Sequence, residues 1–487
     1  MASAIPENQA RFSHRELIDA TQGSCPAFAG EIAGVSMDSR AALAGKLFAA
    51  LPGERFDGHD FVAAASRQGA RVVMVERESG GAAPALQLRV RSTVDALGNL
   101  ARFHRIRWGG RVIAVAGSVG KTTTRSSVAA VALAAGARVH SPRGNLNNLI
   151  GVPMVLLGMS EAHELGVVEI GTNHTGEVAR LSHVARPDVA VLTRVSLEHA
   201  EGLGGLDAIE QEEGAVLRGL RPDGIAVVNA DDERCLRQAA SCAARRVVRY
   251  GLAQSAERSG AEYRVVRHQS RSPRLTRVCI ARPSAPELEL DSPLLGLPGA
   301  YALTAAIAAN EALLARPLER AELESALASP VLGEPGRLGV VELGDGSLVL
   351  DDTYNSSPAS VRSSAAVARD LARQRGSRLV LVIGEMRELG AFSSAAHREL
   401  GPDLASLDPE VLIAFGGDAQ ELLVGLEGVR ARTGFALDAP GALELLEAER
   451  RPGDVILVKA SRGLRAERIV AGLSAGAGAA EAEGRRP

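Results

Sequence analysis

The stretch RVIAVAGSVGKTTT, Arg111–Thr124, constrains this chain more than any other. Its apolar run, Val112 to Ala116, reads as a buried parallel strand. The turn Gly117-Ser118-Val119-Gly120 follows, and Lys121-Thr122-Thr123-Thr124 opens a helix. Strand, glycine turn and helix start, in that order, turn backbone N–H groups inward at the positive end of a helix. A polyphosphate fits there, against Gly117, Ser118, Gly120 and Thr123. Lys121 reaches the outer phosphates and Thr122 offers its hydroxyl to Mg²⁺. The full Walker pattern asks for a glycine five residues before Gly120, where Val115 stands, so the motif is the shorter G-x-x-G-K-T. A nucleoside triphosphate is the expected ligand.

The chain has 487 residues, room for roughly three domains at ~150 residues each. A net charge of −3 gives no electrostatic basis for nucleic-acid binding, and 3% aromatics give few stacking surfaces. Cys25, Cys235, Cys242 and Cys279 form no C-x-x-C pair and read as core or surface thiols. The first residues carry no apolar signal core, and no window approaches ~18 uninterrupted apolar residues. The expectation is a cytoplasmic monomer with no membrane partner.

Strand–helix alternation organises the rest as α/β throughout. Residues 1–108 form a small N-terminal α/β unit, with strands at Lys46–Leu51 and Arg71–Val75 and a turn over Pro52–Arg55. Ser39 and Arg40 in that unit suit a phosphate or a uracil, or equally a cap and a solvated arginine. Residues 109–330 form a central parallel-sheet domain of the P-loop ATPase kind. In it the strand Gly166–Gly171 ends in Glu169, placed to take Mg²⁺ beside the loop. His199 follows the strand Asp188–Thr193 as a second ligand or a phosphate contact, and Tyr263–Leu290 reads as peripheral antiparallel strands. Residues 331–473 form a doubly wound, Rossmann-like domain without a phosphate-loop lysine. The tail, 474–487, reads as disordered.

Several segments together resemble the Mur ligases: GSVGKTTT, GNLNNLIGVP, VVEIGTNHTGEVARL, HAEGLG and VVNADDE in the centre, GVSMDSR and LFAALPGERFDGHDF before them, DDTYNSSPASVRSS, GEMRELG and DVILVKASRG after. The likeness runs from about Gly34 to Ile469. It is strongest to family members that join D-alanyl-D-alanine to a UDP-muramoyl tripeptide. The resemblance implies ATP and Mg²⁺ as cofactors, those two small molecules as substrates, and an acyl phosphate between them. It implies that Thr122 and Glu169 hold Mg²⁺, that His199 serves a second ion, and that Asn145 lies near the γ-phosphate with Asn229 by the adenine. From the third domain it brings Arg337 and Asp352 to the nucleotide, and Asn355, Lys459, Ser461 and Arg462 to the peptide or its acyl phosphate.

The chain also departs from the family. A lysine that is carbamylated and bridges two Mg²⁺ ions in the family is replaced by Glu213. The expectation is that Glu213 supplies the same charge on a shorter arm, directly or through water, or that the second metal site is lost. Tyr301 and Ala302 stand where the family has His-Asn. Arg194, Ser196 and Leu197 stand where it tends to have Asn, Gly and Pro. Two alternatives therefore accompany the reading: a related ligase with other substrates, and a nucleotide-binding protein that no longer ligates.

Overall fold

The computed structural model describes residues 5–53, 56–78, 85–283, 285–426 and 428–483, with side chains through 475. The three-domain α/β architecture is built on sheets of four, nine and six strands, with a two-stranded antiparallel pair, Arg11–Ser13 and Glu31–Ala33, beside the first. The four-stranded sheet, Val35–Ser36, Leu47–Ala49, Val72–Val75 and Leu86–Arg89, is parallel. Of the turn expected over Pro52–Arg55, residues 54 and 55 lie outside the described residues.

A helix, Thr93–Trp108, joins this unit to the next. Ser92 caps it, its hydroxyl accepting the Asp95 N–H at 3.1 Å, and Gly109 ends it at φ 76°. Its Arg105 is buried under the central sheet. The guanidinium donates to the Ala185 and Gly110 carbonyls and to Asp188 at 3.0 Å. Asp188 also accepts the Val112 N–H at 2.8 Å, so one buried ion pair fixes both the connecting helix and the base of the phosphate-loop strand. The N-terminal unit shares a continuous core with one face of that sheet.

The nine-stranded sheet runs in the order Ala285–Ser292, Leu275–Arg282, Tyr263–Ser272, Arg246–Leu252, Ile225–Asn229, Val189–Leu192, Arg111–Ala116, Leu165–Glu169, Val139–His140. It is parallel except at the first two strands, where the Arg-rich alternation forms the antiparallel margin its pattern implies. Along Arg111–Ala116 the period of two is plain. Val112, Ala114 and Ala116 enter one core layer, and Ile113 and Val115 the other. Chain order reverses about this strand, with Leu165–Glu169 on one side and Val189–Leu192 on the other. Ligands of open α/β sheets bind at the carboxyl ends of strands around such a switch point.

The six-stranded sheet orders Gly339–Glu342, Leu348–Asp352, Val455–Lys459, Leu379–Gly384, Val411–Phe415, Arg432–Ala436, with only the first strand antiparallel. The last helix, Glu467–Glu483, takes in the first ten residues of the tail expected to be disordered, and 484–487 lie outside the described residues. Alanine's high helix propensity favours that continuation over the disorder that composition alone implied. No described helix is long and apolar enough to cross a membrane.

Candidate active site

A cavity of about 960 Å³ opens where the strand ends of the central sheet face the C-terminal domain. The central domain lines it with the loop Ser118–Thr123, Asn145, Glu169 and His199. The C-terminal domain adds Arg337, Asp352, Asn355, Lys459 and Arg462.

The loop is shaped by close approach. Gly117 has φ 121°, and a Cβ there would stand 2.3 Å from the Thr193 hydroxyl. Gly120, at φ 89°, begins the helix Lys121–Ala134. The Ser118 N–H donates to the Arg194 carbonyl at 2.6 Å, and the Ser118 hydroxyl accepts the Ser196 N–H at 2.9 Å. Of the replaced residues before His199, Arg194 and Ser196 hold the loop through backbone groups that any non-proline residue supplies.

Lys121 is bound from behind. Its Nζ lies 2.8 Å from Glu198 and 3.9 Å from Glu213. Burial works against the ammonium, but the two carboxylates outweigh it and hold its pKa above the usual lysine value. Glu213 pays for this arrangement: burial pushes its carboxyl up to about 7 despite the nearby Lys121. One of its oxygens accepts the Gly117 N–H at 2.7 Å.

Glu169 and Thr122 present the oxygens for a cation. Glu169 Oε1 accepts from the Asn147 amide at 2.9 Å, while Oε2 is buried without a hydrogen bond, 3.7 Å from the Arg125 guanidinium. Among the described residues no three His, Cys, Asp or Glu side chains cluster tightly enough to hold a metal. Two protein oxygens facing a phosphate cradle suit Mg²⁺, which completes its shell with substrate phosphates and water. Arg125 also pairs with Glu334 and donates to the Ser141 hydroxyl at 3.0 Å. It thus ties Glu169 to the segment that enters the C-terminal domain.

From that domain, Arg337 donates to the Thr122 hydroxyl at 3.1 Å and stacks on the Tyr354 ring at 4.3 Å. Arg462 lies over the same ring at 4.7 Å. Asp352 and Lys459 end adjacent parallel strands and pair at 2.6 Å, both buried. Asp352 also accepts from the Ser364 hydroxyl at 2.6 Å, and Lys459 donates to the Asn355 carbonyl at 2.9 Å. Burial lowers the Lys459 pKa, partly offset by Asp352.

Most of the expected residues meet in this cavity, and six do not. Glu213 lies buried under the loop rather than on the cavity wall, with its Oε1 without a hydrogen bond. Its Oε2 accepts the Gly117 N–H, and its Oε1 stands 3.9 Å from Lys121 Nζ. Gly117 itself is covered by the loop it bends. Asn229 turns its oxygen to the Asp231 N–H at 3.0 Å, and Asp231 in turn accepts from Tyr301 at 2.6 Å. Ser461 accepts the Arg387 N–H at 2.9 Å. On the N-terminal unit, Arg40 forks onto Asp38 at 2.9 Å, and neither it nor Ser39 lines the cavity. Sequence reasoning missed Glu198, Arg125 and Tyr354. Their signals are that Glu198 adjoins His199, Arg125 lies one helical turn from Lys121, and Tyr354 follows Asp352 by two residues.

Comparison with known proteins agrees with this geometry across the chain. Family models match for a Mur ligase family catalytic domain at residues 31–105, a Mur ligase middle domain at 115–310 and a Mur ligase glutamate ligase domain at 336–462. UDP-N-acetylmuramoyl-tripeptide–D-alanyl-D-alanine ligase of Escherichia coli is 33% identical over 446 residues, 90% of this chain and 93% of that protein. The Bacillus subtilis protein of the same name is 32% identical over 90% of this chain and 92% of its own. A crystal structure of MurF from Acinetobacter baumannii superposes with a TM-score of 0.84 at 30% identity, covering 95% of this chain and 99% of that one. MurF ligase from Thermotoga maritima, solved in complex with ADP, gives 0.77 at 26% identity, covering 90% and 96%.

Proposed function

The chain belongs to the Mur ligase family, and from that premise we propose that it joins D-alanyl-D-alanine to UDP-N-acetylmuramoyl-tripeptide at the expense of ATP. The γ-phosphoryl group passes to the tripeptide's terminal carboxylate. The amine of D-alanyl-D-alanine attacks the acyl phosphate, and an amide forms as phosphate leaves. One observation carries the reading: a phosphate-binding loop and the Asp352, Lys459 and Arg462 cluster of a separate domain line one cavity.

The chemistry requires two anions to approach and a poor electrophile to be activated. Lys121, held at the loop by Glu198, supplies one cation, and Arg337 and Arg462 supply two more from the opposite wall. Thr122 and Glu169 are the residues that would hold Mg²⁺, which when bound neutralises phosphate charge and polarises the transferred group. His199 lies at the same end of the cavity. Asp352 fixes Lys459 by an ion pair at the wall, and the two-domain enclosure keeps water from a hydrolysable intermediate. Glu213 acts beneath the loop as a buried carboxyl facing Lys121, its negative charge developing as pH rises past about 7, with no carbamylation needed.

Incubation with ATP, Mg²⁺, UDP-muramoyl tripeptide and D-alanyl-D-alanine tests the proposal, with released phosphate and coupled product measured together. Both appear in equal amounts if it holds. Phosphate release only with other acceptors assigns a different ligase substrate. Nucleotide binding without phosphate release for any amine removes ligation altogether.

A further inference from the structure

The segment that carries His199 is wedged between the two domains that form the cavity. Leu197 packs against the cores of both. Two residues on, the His199 Nδ1 meets the carboxylate of Glu388, which arrives from the C-terminal domain. The backbone makes the same contact again, the Glu201 N–H donating to the Glu388 carbonyl at 3.0 Å. Beside it Gly390 lies so close that a Cβ would stand 3.1 Å from the Glu201 Cα. Both partners pay in backbone conformation: His199 has φ 48° and Glu388 has φ 65°, left-handed values that non-glycine residues seldom adopt. A surface loop with no task would relax out of that region. Here two such residues face each other across a domain boundary, at the rim of the cavity both of them line.

We propose that Glu388 is a positioning residue for ligation, a carboxylate delivered by the C-terminal domain that fixes the His199 ring and turns its Nε2 to the cavity. The inference rests on the ligase reading above. Which ring nitrogen carries the proton is set by the partner of the other one. An Nδ1–H directed at the neighbouring Glu388 carboxylate leaves Nε2 as the nitrogen that meets the cavity contents. Because Glu388 and His199 sit on different domains, the ring is oriented only while the domains are together. The phosphate end of the site is thereby completed by the same movement that encloses the acceptor.

Glu388→Ala and Glu388→Gln test this in the full chain. Both place the same demand on a left-handed backbone and both keep the Glu201–Glu388 main-chain bond, so their difference isolates the side-chain acceptor. The expected result is a kcat about 10–100-fold lower in Glu388→Ala, with KM for ATP within about threefold, and substantial rescue in Glu388→Gln. In the His199→Asn background, Glu388→Ala is expected to cost nothing further. A second readout needs no turnover: ring ¹⁵N shifts of His199 in the nucleotide-free protein at pH 9, assigned by their loss in His199→Asn. Wild type and Glu388→Gln are expected as the Nδ1–H tautomer, and Glu388→Ala as the Nε2–H tautomer common in free imidazoles. An unchanged tautomer in Glu388→Ala, an unchanged kcat, or full additivity with His199→Asn overturns the proposal. A wild type that fails to ligate overturns the ligase reading instead, and the tautomer still decides the role of Glu388.

Discussion

Replacing Glu213 by Gln tests how the phosphate loop is held. Glutamine keeps the volume of the side chain and an acceptor for the Gly117 N–H, and it removes the carboxyl that faces Lys121 at 3.9 Å. The carboxyl titrates near 4.5 when unfolded and is raised by burial to about 7 in the fold. The folded state therefore retains a proton that the unfolded chain has lost between those two values. Its contribution to stability is intact below the unfolded value and is lost as pH rises through the folded one. Above pH 7 the loss amounts to ~3 kcal/mol, at ~1.4 kcal/mol for each pH unit. Glutamine does not titrate, so the variant gains on wild type between pH 5 and pH 8.5 by up to ~3 kcal/mol. For a domain of 150–250 residues that is a relative rise of about 6–12 °C in melting temperature. Thermal unfolding followed by circular dichroism at the two pH values measures it, the central-domain transition being the one that ADP moves. A variant-minus-wild-type difference that is the same at both pH values, or that shrinks as pH rises, refutes the account of Glu213 as a buried, strained anion.

Three further outcomes follow from the same geometry. Bicarbonate added to a carbon-dioxide-depleted preparation should leave the ligation rate unchanged, and stimulation would remove Glu213 as the fixed anion at the loop. Arg125→Met takes away the guanidinium 3.7 Å behind Glu169 and the tie to Glu334, so the Mg²⁺ concentration for half-maximal rate should rise about 10–100-fold in a metal titration. An unshifted midpoint would show that Glu169 needs no such support. Lys459→Met strands the buried Asp352 carboxylate and should cost about 3–5 kcal/mol in denaturant unfolding of the C-terminal domain, with much of it regained when Asp352→Leu is added.

The parts of the fold and site that the sequence discloses are those written in consecutive residues. The strand, turn and helix of Arg111–Ala134 follow from apolar run, glycines and Lys-Thr in fixed order, and Glu169 and Asp352 each close a strand whose apolar run marks its end. The antiparallel margin at Tyr263–Ser292 is visible as alternation with arginine. What stays hidden is the pairing of residues far apart in the chain. Lys121 meets Glu198, Arg125 meets Glu334, and Arg337 meets Thr122 at separations of 77, 209 and 215 residues. No local period encodes which charge a buried ion will face. Glu213 illustrates the same limit. Its position in the family pattern is readable, but its helix, Leu206–Arg218, passes beneath the loop, and only that placement shows one of its carboxylate oxygens on the Gly117 N–H.

The crossing into the C-terminal domain, Gly333-Glu334-Pro335-Gly336-Arg337, is anchored on both sides to a single helix, through Arg125 to Glu334 and Thr122 to Arg337. Gly333 and Gly336 both take left-handed φ, at 82° and 72°, and supply the bend. The bend that leads into that domain therefore sits beside the phosphate loop rather than at a distant surface. An atom's displacement in a rotation grows with its distance from the axis. Arg337, inside the crossing itself, has almost no lever arm, so its contact with Thr122 changes little over a swing that parts Glu388 from His199.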